Sequence, residues 1–278
     1  MKEITEQVVE ALRQKILKSY ALVCSSEDMM KQVRGKDFRE MTMRLSKACK
    51  TMDRYRNGMR LGDAKIRELV DELHLLRSYF GAPTGRPLEP EGVRFVEPYL
   101  TCLERLFETD RNPILYVEML RTSLVLLEYQ LPREIDSTTA LQQMLRNLSE
   151  MDRLDESKEI RDAERVKLTA YLMELHKLLA PYLQDDGSTR TKLISMYYLR
   201  MSAAMSIFEG MITSIPEDLV DAVIMSVLLT ARRGIQLELE ALLVMAAVEW
   251  IWDCELEEKD RAILARVFAM AQEVCGNA

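Results

Sequence analysis

Three features of the 278-residue sequence predict an all-α fold. Glycine and proline are scarce, 10 and 8 residues, so few positions interrupt a helix. Apolar residues recur three and four apart in one segment after another, the period of a helix with one buried face. No stretch alternates apolar and polar residues over the length of a strand. With 48% hydrophobic and 30% charged residues the composition is that of a globular chain, long enough to bury a sizeable core.

The elements follow in order, about ten helices in all. Ile4, Val8, Leu12, Ile16 and Tyr20 mark a first helix over about 3–23. Ser25 and Asp28 resemble a cap for a short helix that ends near Gly35. Phe38, Met41, Leu45, Ala48, Met52 and Tyr55 form the stripe of a helix over about 36–56, closed by the turn signal Asn57-Gly58. Asp63 reads as the N-cap of the next, which ends near Phe80-Gly81. Residues 81–92 hold three prolines and three glycines, a spacing that marks a linker or long loop. The expected organisation is therefore a basic helical region at 1–80, the linker at 81–92, and a larger helical bundle at 93–278.

Beyond the linker a helix is expected over about 97–108. Asn112-Pro113 caps and opens another, which Pro132 closes. Ser137 to Met151 and Asp155 to about Leu179 follow; the charge-dense start of the latter, Asp155 to Lys167, reads as a solvated face. A helix over about 189–213 precedes Ser214-Ile215-Pro216-Glu217, which matches a capping box with proline in the first turn. Leu219 to Ala231 and Leu237 to Trp252 are apolar on nearly every side. A helix of that kind belongs in an interior, so this pair is the expected centre of the molecule, covered by the rest and by a last helix over about 257–274. Neither run reaches the roughly 20 apolar residues of a membrane span.

The sequence holds no phosphate-binding glycine loop and no nucleophile elbow. Each of the two histidines, His74 and His176, has a glutamate two residues before it, and i,i+2 positions point to different sides of a helix. Asp185-Asp186 is followed by Gly-Ser-Thr, which suits a loop and helix cap better than a magnesium pair. The five cysteines, Cys24, Cys49, Cys102, Cys254 and Cys275, are scattered and odd in number, as in a cytoplasmic protein with reduced thiols. The polar N-terminal residues do not resemble a secretory leader. No metal, cofactor or catalytic residue is implied.

Charge supplies the functional lead. Residues 31–67 carry twelve Lys and Arg against four acids, a net +8; the whole chain is −7, so everything else sums to −15. Lys36, Arg39, Arg44, Lys47, Lys50, Arg54, Arg56 and Arg60 are the candidate partner-binding residues. A step of that size is a statement about partners. The first expectation is a non-enzymatic interaction module, an adaptor, regulator or assembly subunit, whose basic surface takes an acidic protein or a second copy of the chain. Docking of the basic segment on the chain's own acidic body is the competing structural explanation. The alternatives are a nucleic-acid-binding regulator, disfavoured by overall acidity and few aromatics, and a helical enzyme whose site is assembled from distant residues. Met29, Met30, Met41, Met43, Met52 and Met59 crowd the same region, and methionine at a surface adapts to varied partners.

Overall fold

The computed structural model describes Met43, Lys47, residues 62–79, eleven residues from Leu88 to Phe107 (88, 90, 92, 93, 96, 97, 99, 100, 103, 104 and 107), and 111–133, 135–157, 160–208 and 215–276. Of these, 84% are helical and none lies in a strand. The chain divides into two compact units, Met1–Ile135 and Asp136–Ala278. The helices expected before residue 62 lie outside the described residues, apart from helical backbone at Met43 and Lys47. So does most of 81–92, although Pro90 and Gly92 already carry helical backbone, earlier than the start near 97 that the sequence suggests. Proline is harmless in a first turn because the amide it lacks has no partner there.

In the first unit, α1 spans Asp63–Tyr79 and α2 spans Pro113–Gln130. Ile66, Leu69 and Val70 give α1 its buried side at i, i+3, i+4 spacing. α2 is buried on most sides, with Arg121, Val125 and Glu128 along one face more open: Leu115, Tyr116 and Leu120 are wholly inaccessible, and even Glu118 is covered. Val96, Tyr99, Leu103 and Phe107 share one helical face and are buried too. Leu88 and Val96 cluster with Leu126 of α2. Tyr99 Oη donates to Glu118 Oε1 at 3.1 Å, which answers the carboxylate inside the core. Asn112 caps α2 as its sequence suggests, accepting from Ile114 N at 2.9 Å. Its amide nitrogen donates to Asp63 Oδ1 at 2.9 Å, so one side chain both starts α2 and ties it to α1. Asp63 is the first residue of α1, not its cap; the Gly62 carbonyl accepts the first helical bonds.

The second unit contains α3 (Thr138–Ser157), α4 (Asp162–Leu179), α5 (Thr189–Ile207), α6 (Glu217–Arg233), α7 (Glu238–Trp252) and α8 (Glu258–Gly276). Its central element is α5, which packs against α3, α4, α6 and α7, while α8 packs on α6 and α7. Ile194, Tyr197, Tyr198, Leu199 and Met201 are wholly buried. The α6–α7 pair is therefore not the centre expected from its composition. Met225 on α6 is exposed, as are Leu239 and Leu242 on α7. The polar residues that disguise α5 are satisfied, Ser195 and Ser202 within the helix and Arg200 by α3. Ser195 Oγ donates to the Thr191 carbonyl, Ser202 Oγ to that of Leu199, and the Arg200 guanidinium to the Ser149 carbonyl.

Two further boundaries differ from the sequence reading. α3 continues to Ser157, and α4 opens only at Asp162 after non-helical Ile160 and Arg161, so the charged run 155–167 is split between two helices. Ile160, 4% exposed, is anchored in the core at that break. α6 begins at Glu217 after Pro216, whose side chain makes no capping bond; Ser214 lies outside the described residues. Gly234, at φ 82°, ends α6 in a conformation that L-residues avoid.

Candidate functional site

Of the eight basic residues selected from the sequence, the described structure contains Lys47. Lys36, Arg39, Arg44, Lys50, Arg54, Arg56 and Arg60 lie outside the described residues. Lys47 meets two carboxylates of α1. Its Nζ is 2.8 Å from Glu68 Oε1 and 3.1 Å from Glu72 Oε1. Glu68 and Glu72 are one helical turn apart, so their carboxylates share a side of α1 and can hold one ammonium between them. Lys65, three residues before Glu68, donates to its other oxygen at 2.6 Å.

The electrostatics follow from this geometry. The hydrogen bond from Lys47, then that from Lys65, holds the Glu68 carboxyl down at about 2. Its own bonds to Glu68 and then to Glu72 raise the Lys47 ammonium above its ordinary value. The Lys47 side chain remains 51% exposed, and that of Glu72 only 12%. An ion pair so open to water contributes little to stability. Met43, four residues before Lys47 on helical backbone, is also exposed, at 63%. Met43 and Lys47 thus present a thioether and a cation on one helical side.

The other candidates take structural roles. His176 is buried, and its Nε2 lies 3.1 Å from Asp218 Oδ2 in the first turn of α6. A carboxylate accepts, so Nε2 carries the proton; Nδ1 is enclosed without a partner. The Tyr198 ring meets the imidazole edge-on at 5.8 Å, and its hydroxyl donates to the His176 carbonyl. This contact ties α4 to α6, and its hydrogen bond lowers the Asp218 carboxyl below its usual range. His74 lies on α1, in the other unit.

Asp185 and Asp186 diverge. Asp185 pairs with Arg232. Asp186 Oδ1 accepts from Thr191 Oγ1 at 2.6 Å and from Ser188 N at 2.9 Å, closing the loop into α5. Those bonds, the hydroxyl's first, lower the Asp186 carboxyl to about 2. Cys254 and Cys275 are free thiols, and burial raises that of Cys254. Among the described residues no group of His, Cys, Asp and Glu is arranged to hold a metal, and no helix is long and apolar enough to cross a membrane.

One concave region was not legible in the sequence: a cleft where α5 meets the turn from α6 to α7, lined by Lys192 and Arg233 among others. These residues lie 41 positions apart, and only the packing of α5 against α6 brings them together. The one local hint was the Arg232-Arg233-Gly234 run at the end of α6. No family model, no curated protein and no solved structure is significantly similar to this chain.

Proposed function

We propose that the chain works by binding rather than by catalysis, as an adaptor, regulator or assembly subunit whose basic segment, 31–67, takes an acidic protein surface. The observation that carries this reading is the charge step: +8 over 37 residues in a chain of net −7. Complementary potential of that kind speeds encounter and selects partners more than it adds raw affinity. Met43 supports the reading, because an exposed methionine beside cations suits an adaptable contact surface. Lys47 contributes little to such a surface, since Glu68 and Glu72 already answer its charge.

The test reverses four of the other seven candidate cations. Arg39, Lys50, Arg54 and Arg60 are changed to Glu, with Lys47 left in place so that its contacts to α1 survive. A labelled polyglutamate peptide and a labelled DNA duplex are each titrated at rising salt, and self-association is followed by sedimentation. The expected result is peptide binding or self-association that weakens at least tenfold in the quadruple variant. Tighter binding of the duplex, with a log–log salt slope of about 0.9 per phosphate engaged, would instead favour the nucleic-acid alternative. If the wild-type chain binds neither probe and does not self-associate, the basic segment has no such role.

A further inference from the structure

The cleft in the second unit has an opening bordered by α5 and the Gly234 turn. Its volume is about 360 Å³, and its lining includes Lys192, Met196, Thr230, Arg233, Gln236 and Glu240. That is near the lower end of the roughly 300–1,000 Å³ of small-molecule pockets. The chemistry of the lining is uneven. Nη2 of Arg233 is buried and has no hydrogen-bond acceptor. Lys192 stands exposed at the same cleft, and no described carboxylate pairs with either cation. Arg232, one residue earlier, is by contrast paired with Asp185.

A cation in the last turn of a helix offsets the helix dipole, and both arginines stand in the last turn of α6. That role leaves a guanidinium in water. It does not account for a half-buried guanidinium that lines a cleft with no carboxylate paired with it, because buried charged donors in folded proteins are ordinarily matched. A guanidinium presents its N–H groups as a planar fork that fits the two oxygens of a carboxylate. Glu240 limits the ligand's charge. Its carboxylate accepts from the backbone N–H of Gln236 at 3.4 Å and brings the formal charge of the lining, with Lys192 and Arg233, to +1. A polyphosphate would be poorly matched there. A ligand with one carboxylate and a hydrogen-bond donor at its other end would satisfy Arg233 and Glu240 together, with its apolar body against Met196.

We propose that this cleft is a binding site for a small monocarboxylate that also carries an amine or hydroxyl group, with the carboxylate on Arg233 and Lys192 and the donor toward Glu240. The site is separate from the basic segment, and it stands or falls independently of that segment's role.

The full-length chain is tested by thermal shift and by calorimetric titration at constant ionic strength. The probes are β-alanine, 3-hydroxybutyrate, acetate, inorganic phosphate and chloride. The expected result is saturable stabilisation by β-alanine or 3-hydroxybutyrate, stronger than by acetate or phosphate. Binding should weaken at least tenfold in Arg233→Gln and severalfold in Lys192→Gln, while Glu240→Gln should reduce the preference over acetate. Should Arg233→Gln fail to fold, Met196→Trp, which fills the cleft from its half-buried wall, serves instead and should abolish binding. The proposal is overturned if no carboxylate exceeds chloride, if phosphate binds best, or if binding survives these substitutions.

Discussion

Asp186 shows how far a single carboxylate's local bonds reach. It lies in the loop before α5, and its oxygen accepts from the Thr191 hydroxyl and the Ser188 amide, which lowers its carboxyl from 3.8 to about 2. A depressed folded value stabilises the fold above the ordinary carboxylate value, and the contribution is lost as pH falls toward about 2. Asp186→Ala is therefore expected to lower the urea midpoint at neutral pH and to flatten its decline between the two values. Urea titrations over that acid range check this; an unchanged slope would show that the loop bonds carry no proton linkage. At this scale the sequence was informative where the partner is local. Asn112-Pro113 and Asp186-Ser188 are caps legible from spacing alone. The contacts of Lys47 with Glu68 and Glu72, 21 and 25 positions away, carry no such local signal.

At the scale of the element, burial was misjudged where composition and packing disagree. α7 is apolar enough to be read as interior, yet Leu239 and Leu242 are 59% and 50% exposed while Val244, Ala247 and Ile251 are buried. α5 looked like one helix among several because of its Ser, Thr, Arg and Lys, and it is the helix around which the unit packs. Hydroxyls that bond the carbonyl three or four residues back cost little inside a helix, so polar spelling does not keep a helix at the surface. Two substitutions on α7 separate these readings. Leu242→Gln should change unfolding free energy by no more than about 0.5 kcal/mol, as at most surface positions. Ile251→Ala, at a wholly buried site, should cost about 2–5 kcal/mol. Chemical denaturation of both variants is the check, and similar losses at both positions would mean that Leu242 is covered.

For the whole molecule, the division after Ile135 has a direct consequence. The second unit encloses its own core, from Leu141 and Met144 on α3 through Tyr197 and Leu199 on α5 to Leu264 and Val267 on α8. Residues 136–278 produced alone are expected to be helical by circular dichroism and to unfold cooperatively. A non-cooperative transition would show that this core depends on the preceding residues.

The sequence by itself determined that the chain is helical, where α2 and α6 end or begin to within a residue or two, and that its charge is unevenly divided. These are local properties: helical period, caps, turn residues and ionisable side chains act over a few positions. Which helix became central, which apolar faces stayed in water, and the meeting of Lys192 with Arg233 were decided only by the tertiary structure. Those outcomes depend on the packing of segments tens of residues apart, where shape and volume choose among faces that composition leaves nearly equivalent.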